Sequence, residues 1–469
     1  MDTNVQVPWY SRSLDFAKLA RDYPPPPDYF NTHFRMPRAE MRALQEERFK
    51  STMQRAWEIP FYQRHWKEAG LEPGDIRGLD DIRKIPTYDV HDIRKSIERN
   101  PPFGDFMGIS PADGHRLPMV LQTSGGTTGL PRPMLYSPQD RETMAILGAR
   151  RMFLHGIRPG DLVLLTYSFN LSNGGFGPRE QLWGYTGAIP VTTGSGSGTP
   201  TRRQVEIIQA WKINVILGFA PYLRHMGVIA RDEMGIDPKT LGVRLIGTHG
   251  TPEERAHVEE LWGAPTFDAY GAHDSGMMAA ECEAHDGLHV SDDAFWMEIL
   301  DPETGEAREE GTPGALHVTT LYKYGAPQVR FNTNDITRNL PWAPCTCGGM
   351  TTKLDRPLGR ADNMIKLRGV NVFPEAVGAT IAQDARSNGE FFCVVDRDAE
   401  TGRDTMEAWV EMEPGQDHAA VTADLEQRLK ESVGVRIRVV PKEKGELDPF
   451  TGTSRNSKIK RLLDRRPKT

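Results

Sequence analysis

From about Leu162 the chain alternates short apolar runs with helical stretches, and no other feature restricts its fold as much. Leu162 to Leu165, Val215 to Leu217, Val243 to Ile246 and Thr266 to Ala269 read as buried strands. Arg203 to Lys212 and Pro252 to Trp262 read as the helices between them. Such alternation predicts an α/β domain built on parallel sheet, because parallel strands need a crossover and a helix supplies it. Around Phe295 to Leu321 the pattern turns to strand, turn, strand, with D-P-E-T-G-E as the turn, and predicts a β-rich subdomain over about 290–358. Beyond Gly359-Arg360 comes a compact α+β unit. Its order is helix (Glu375 to Gln383), strand (Phe391 to Val395), strand (Ala408 to Met412), helix (Ala419 to Ser432) and strand (Val435 to Val440). The expected division is a large domain over 1–360 and a small one over 361–469. Ahead of all this, the first forty residues read as irregular, with the Pro24 to Pro27 run stiff and extended on the surface. A helix follows, carrying Met41, Leu44, Phe49, Met53 and Trp57 roughly on one face.

Composition narrows the function. With 57 basic against 64 acidic side chains the net charge is −7, which opposes a broad basic face for nucleic acid. No run approaches the roughly 18 apolar residues of a membrane helix. The opening M-D-T-N-V-Q-V-P-W-Y has neither the basic nor the apolar region of a secretory signal, so a cytoplasmic protein is expected. Four cysteines in 469 residues exclude a disulfide-built scaffold.

The most informative segment is Thr123-Ser124-Gly125-Gly126-Thr127-Thr128-Gly129-Leu130-Pro131-Arg132. Its glycines permit close backbone approach, so successive N–H groups can converge on phosphate oxygens. Ser124, Thr127 and Thr128 add hydroxyl donors, and Arg132 adds a cation. The spacing is not G-x-x-x-x-G-K-[ST], which disfavours a Walker-type NTPase. Taken alone, the run also fits a flexible, solvated loop.

Four further segments follow in order: Phe267-Asp268-Ala269-Tyr270-Gly271-Ala272-His273-Asp274, Arg330 to Thr337 (R-F-N-T-N-D-I-T), Gly359 to Pro374 (G-R-A-D-N-M-I-K-L-R-G-V-N-V-F-P), and Thr453 to Arg461 (T-S-R-N-S-K-I-K-R). With the glycine/threonine loop, they resemble the motifs of the adenylate-forming superfamily of acyl-CoA synthetases, most closely its phenylacetate–CoA ligase branch. The resemblance runs from about residue 45 to the C-terminus. It implies a carboxylate attacking the α-phosphorus of ATP to give an acyl-adenylate and pyrophosphate, then a thiol displacing AMP. It also implies a homodimer.

The resemblance further implies roles. Thr123 to Gly129 would hold the β- and γ-phosphates, and Asp274 would hold Mg²⁺, a hard cation suited to carboxylate oxygen. Tyr270 and Gly271 would border the nucleotide, Asp335 would accept from the ribose hydroxyls, and Arg360 would contact AMP. Lys458 would bridge carboxylate and α-phosphate during adenylation, because joining two anions needs a cation held in place beforehand. Asp362 would be the hinge on which the small domain turns as a lid, withdrawing Lys458 and bringing the Lys366 to Gly369 edge toward the thiol channel. His273 stands where the family has a threonine reaching the α-phosphate; imidazole can donate the same hydrogen bond, and carries charge if phosphate raises its pKa. Ser457 stands for a glycine, and His249 for a frequent glutamate.

Glu281-Cys282, His285, His289 and the pair Cys345-Thr346-Cys347 offer ligands for a closed Cys3His zinc site of structural role. The resemblance favours His289 over His285. Cys393 reads as a small core residue. The acid pocket is expected from Tyr167, Phe169 and Tyr222 stacking on a ring, Asn170 or Asn173 bonding a substituent, and Gly247-Thr248-His249 beside them. These readings together predict an ATP-dependent acid–CoA ligase for an aryl or arylacetic acid. The rivals are an adenylating enzyme that passes the acyl group to an amine or carrier-protein thiol, and a nucleotide-binding module without catalysis.

Overall fold

The computed structural model describes residues 8–124, 131–360, 365–367, 370–397, 404–453 and 460–466. The chain gathers into two compact units: Met1–Asp161, Phe169–Pro190 and Ala269–Arg356 in the first, and Leu162–Ser168, Val191–Asp268 and Pro357–Thr469 in the second. Among the described residues no helix is long and apolar enough to cross a membrane.

In the first unit the helix Arg38–Trp57 buries Met41, Gln45, Phe49, Thr52, Met53 and Ala56, a stripe at three- and four-residue spacing. The segment before it departs from the expected irregular surface chain. It forms short helices at Trp9–Arg12, Phe16–Asp22 and Asp28–Asn31, and buries Leu19, Tyr23, Tyr29 and Phe34. The anchor is distant in sequence. Arg150 forks onto the buried Asp293 at 2.8 and 3.0 Å, donates to the Pro24 carbonyl at 3.0 Å and lies over the Tyr29 ring. Burial pushes the Asp293 carboxyl up, but Arg150, His33 and Arg48 outweigh it and hold it well below the usual range. The helix Pro138–Leu154 opens on a capping box, Ser137 with Asp140, directly after the strand Pro133–Tyr136. Two antiparallel sheets complete the unit. One orders Lys353–Leu354, Leu288–Val290, Gly276–Glu281 and Ala269–Ala272; the other runs Phe295–Leu300, Gly314–Thr320, Phe331–Thr337, with the expected turn between its first two strands.

The second unit carries the expected parallel sheet, in the order Ile189–Thr192, Leu162–Leu165, Val215–Phe219, Leu245–His249, Thr266–Phe267. The third central strand starts at Leu245 rather than Val243, since Gly242 adopts a left-handed turn at φ 79° just before it. The helices Thr201–Trp211, Ala220–Val228 and Pro252–Trp262 bury Val205, Ile208, Leu223, Met226, Val258 and Trp262 in its core. Towards the C-terminus, Pro374–Ala382 and His418–Val433 pack with a four-stranded sheet ordered Arg438–Lys442, Asp404–Met412, Ser387–Arg397, Leu462–Asp464. Cys393 is fully buried in that core, as its sequence setting suggests.

Candidate active site

The glycine/threonine loop is the tip of an antiparallel hairpin. Val120–Thr123 pairs with Pro133–Tyr136 up to Thr123 opposite Pro133, and Ser124 N–H donates to the Arg132 carbonyl at 3.0 Å. Thr123 is fixed in turn through its N–H to the Leu171 carbonyl at 2.8 Å. Gly125, Gly126, Thr127, Thr128 and Gly129 themselves lie outside the described residues. Arg132 leaves the hairpin into a buried position, where its guanidinium meets the Asp274 carboxylate at 2.6 and 2.7 Å. Burial raises the Asp274 pKa, but Arg132, with His273 and Lys323 adding to it, outweighs burial, and the carboxyl ends below its usual range, ionised. Arg132 Nε is buried and has no hydrogen-bond partner among the described residues, so the cation keeps a donor to give.

His273, beside this pair, is driven by burial down to a pKa of about 4, with Arg132 and Lys323 acting in the same direction. In this setting it is a neutral imidazole. Its Nε2 lies 3.4 Å from the Tyr136 hydroxyl, which also donates to the His273 carbonyl at 3.1 Å. Lys323, buried nearby, donates Nζ to the Asp274 carbonyl. The Tyr270 hydroxyl donates to Asp335 Oδ2, and Asp335 N–H is bound to Thr333 Oγ1 at 3.2 Å, so the ribose candidate is held at both backbone and side chain. Gly271 is required by geometry: a Cβ there would stand 2.8 Å from the Gly276 carbonyl oxygen across its hairpin.

In the second unit, candidate residues gather at the carboxyl ends of adjacent parallel strands, the usual place for ligands in open α/β sheets. Tyr167 meets Phe219 edge to face at 5.2 Å between ring centres, and Phe219 lies 5.8 Å from His249. His249 Nδ1 is 3.4 Å from Asp268, and Gly247 is buried in the strand ending at His249. Phe219 and Asp268 were not among the candidates from sequence. Phe219 follows the predicted strand Val215 to Leu217, and Asp268 stands within the Phe267–Asp274 segment without a role assigned to it. Tyr222 has its ring in the apolar core, and its hydroxyl receives Gln204 Nε2 at 2.9 Å. Phe169 and Asn170 belong to the other unit. Phe169 packs edge to face on Phe176, and Asn170 Oδ1 accepts from Ser172 N–H in the turn before the helix Asn173–Tyr185. Asn173 Oδ1 accepts from Arg141 at 2.8 Å. Arg360 lies in the short strand Gly359–Arg360 and Lys366 in Ile365–Leu367, where only the backbone of Lys366 is described. Asp362, Gly369, Ser457 and Lys458 lie outside the described residues.

Apart from these, Cys282, His289, Cys345 and Cys347 place their ligand atoms within 4.8 Å of one another. The Cys282 and Cys345 sulfurs are 3.7 Å apart, and Cys347 Sγ lies 3.4 Å from His289 Nε2. Two sulfurs on a tetrahedral zinc, at about 2.3 Å each, would be separated by about 3.8 Å, so the spacing suits that ion. His289 Nδ1 is engaged by Thr351 Oγ1 at 2.9 Å, which orients the ring with Nε2 toward the sulfurs. His285 instead faces Glu281 at 3.2 Å.

A family model, the C-terminal domain of AMP-binding enzymes, matches residues 369–466. Phenylacetate-coenzyme A ligase of Aromatoleum evansii is 33% identical over 446 residues, covering 92% of this chain and 95% of that protein. The chain belongs to the phenylacetate–CoA ligase family. It is therefore an AMP-forming acid–CoA ligase of the adenylate-forming superfamily, working through an acyl-adenylate. Among solved structures, 2-hydroxyisobutyryl-CoA ligase in the postadenylation state with 2-HIB-AMP matches this ligase at a TM-score of 0.84 and 26% identity, covering 97% of this chain and 96% of that one. The same relative with 2-HIB-AMP and CoA in the thioesterification state matches at 0.69 and 28% identity, covering 95% and 94%.

Proposed function

We propose that the acid this ligase activates is compact and aromatic, an aryl or arylacetic acid. The observation that carries this reading is the row Tyr167–Phe219–His249 at the carboxyl ends of adjacent strands, which offers ring faces and edges to an aromatic guest. The names of the curated relatives, phenylacetate ligases, agree with it. Arg132, through its unused Nε donor, and the hairpin tip would hold the ATP phosphates, with His273 donating one neutral hydrogen bond near the α-phosphate. Asp335, steadied by Tyr270, would accept from the ribose hydroxyls, with Gly271 and Arg360 bordering AMP. Lys458 would neutralise the meeting of carboxylate and phosphate, and then leave with the lid, residues 361–469, turning at Asp362 so that the Lys366–Gly369 edge meets the thiol. The ionised Asp274 suits Mg²⁺, which would supply charge neutralisation at the phosphate oxygens. Cys282, His289, Cys345 and Cys347 would hold a zinc ion with no open position, a fastening within the first unit rather than a catalyst.

A panel of aryl, arylacetic and small hydroxy acids, followed by pyrophosphate release with and without CoA, tests the substrate class. Turnover led by the aromatic acids is expected. Preference for a small hydroxy acid, the substrate class named for the structural relative, would overturn it. Lys458→Ala should abolish acid-dependent pyrophosphate–ATP exchange yet largely spare thiolysis of a supplied acyl-adenylate; equal loss of both would remove its assigned role.

A further inference from the structure

The segment 454–459, which contains Lys458, is bracketed by two described anchors that share one acceptor. Thr453 Oγ1 donates to Glu390 Oε2 at 3.1 Å, and Arg461 Nη1 donates to the same oxygen at 2.9 Å. Lys460 N–H closes the base onto the Thr451 carbonyl at 3.1 Å, and the Arg461 carbonyl accepts from Cys393 N–H at 2.8 Å. The Arg461 guanidinium lies over the Phe391 ring, which fixes its direction. Its other terminal nitrogen points to Glu254 Oε1 at 3.5 Å. Glu254 belongs to the helix Pro252–Trp262. Its Oε2 accepts from Thr251 N–H at 3.0 Å in a capping box, two residues beyond the strand end at His249. The contacts thus run unbroken from the base of the Lys458 segment to the strand end that carries His249.

We propose that Glu390, Arg461 and Glu254 form an ionic latch that seats Lys458 for adenylation, Arg461 and Glu254 being positioning residues for that half-reaction. The proposal rests on the reading of Lys458 given above. The two halves of the latch differ in the way a releasable contact requires. Arg461 is hydrogen-bonded to Glu390 at 2.9 Å within the C-terminal segment, while its contact with Glu254 is a single ion pair at 3.5 Å, longer than a well-formed hydrogen bond. A lid that must depart for thiol attack can break such a pair and keep the base of its own loop intact.

The test is Glu254→Gln. Glutamine at this third helical position still caps the helix, so the charge facing Arg461 is removed with the fold preserved. Acid-dependent pyrophosphate–ATP exchange should fall about tenfold, as expected when a reacting group is held less well in place. Thiolysis of a supplied acyl-adenylate should change less than twofold, and the melting temperature should not move. Arg461→Gln should show the same split, and the double variant should exchange no more slowly than Arg461→Gln alone, the signature of coupled residues. Equal loss in both half-reactions, or independent multiplying effects, would overturn the latch. Normal exchange by the unaltered protein that Glu254→Gln leaves untouched would overturn the latch alone; no acid-dependent exchange by the unaltered protein would overturn the ligase reading and the latch with it.

Discussion

At the scale of single residues, the proposed part of His273 at the α-phosphate can be tested through its charge. Burial holds the imidazole down at about 4, so before nucleotide binds it is neutral, and the reading gives it one hydrogen bond to phosphate. Loss of one such bond corresponds to roughly a tenfold effect. His273→Ala should therefore slow pyrophosphate–ATP exchange about tenfold, and His273→Thr should recover most of it. The pH profile between 5.5 and 8 should keep its shape in all three proteins; an inflection near 6.5 that disappears with the histidine would contradict a neutral role. Asp335 is a stronger case, because ribose hydroxyls bound to a carboxylate make charge-assisted hydrogen bonds. Asp335→Ala should cut kcat/KM for ATP by about 10- to 100-fold, and Tyr270→Phe, which only loosens the carboxylate, by a few-fold. Asp274, His273 and Asp335 are candidates in the sequence only through the resemblance of the segments that hold them. Phe219 could not be found there, since an aromatic at a strand end has the same pattern as one in the core. Tyr222 shows the converse, a candidate by its setting whose ring the helix packing carries into the apolar core.

At the scale of elements, the Cys/His cluster ties the turn after the strand Gly276–Glu281 to the segment before Lys353–Leu354, within one unit. Structural zinc binding is itself folding free energy. The purified protein should contain one zinc per chain by elemental analysis. Cys345→Ser or Cys347→Ser should lose it and lower the melting temperature by several degrees, while Cys393→Ala keeps the metal. Full metal content in either serine variant would refute the site. The C-x-C pair was readable from sequence, but His285 and His289 were separable there only through the resemblance. Pairing separates them physically: His289 sits in the strand Leu288–Val290 opposite Ala280, whereas His285 occupies a turn at φ 52°. The parallel sheet was legible for the opposite reason, since its signal is the local period of apolar residues. The helices before residue 38 were not legible. They are short and are held by Arg150 and Asp293, more than a hundred residues away.

At the scale of the whole molecule, compactness joins segments that sequence keeps far apart, Val191–Asp268 with Pro357–Thr469, an association that periodicity does not carry. The sum of buried titrating groups is likewise a property of the whole fold, and it gives a prediction with a definite sign. His273 and His317 are both lowered from 6.5 to about 4, chiefly by burial. As pH falls from 6.5 to 4 the unfolded chain takes up a proton at each and the folded protein does not, so their stabilisation is complete above 6.5 and lost toward 4. Asp292 acts in the opposite sense. Burial raises it from 3.8 to about 7, so its folded form holds a proton, and its contribution is complete below 3.8 and lost as pH rises through 7. Each contribution is of the order of a few kcal/mol, and the two histidines together outweigh the single aspartate. Chemical denaturation at pH 4.5 and 7 should therefore find the protein less stable at the lower value. Replacing His317 by Gln should shrink that difference, and Asp292→Asn, which removes the opposing contribution while keeping an acceptor for Thr352 N–H, should enlarge it. The same difference in all three proteins would mean that these buried groups do not set the acid response.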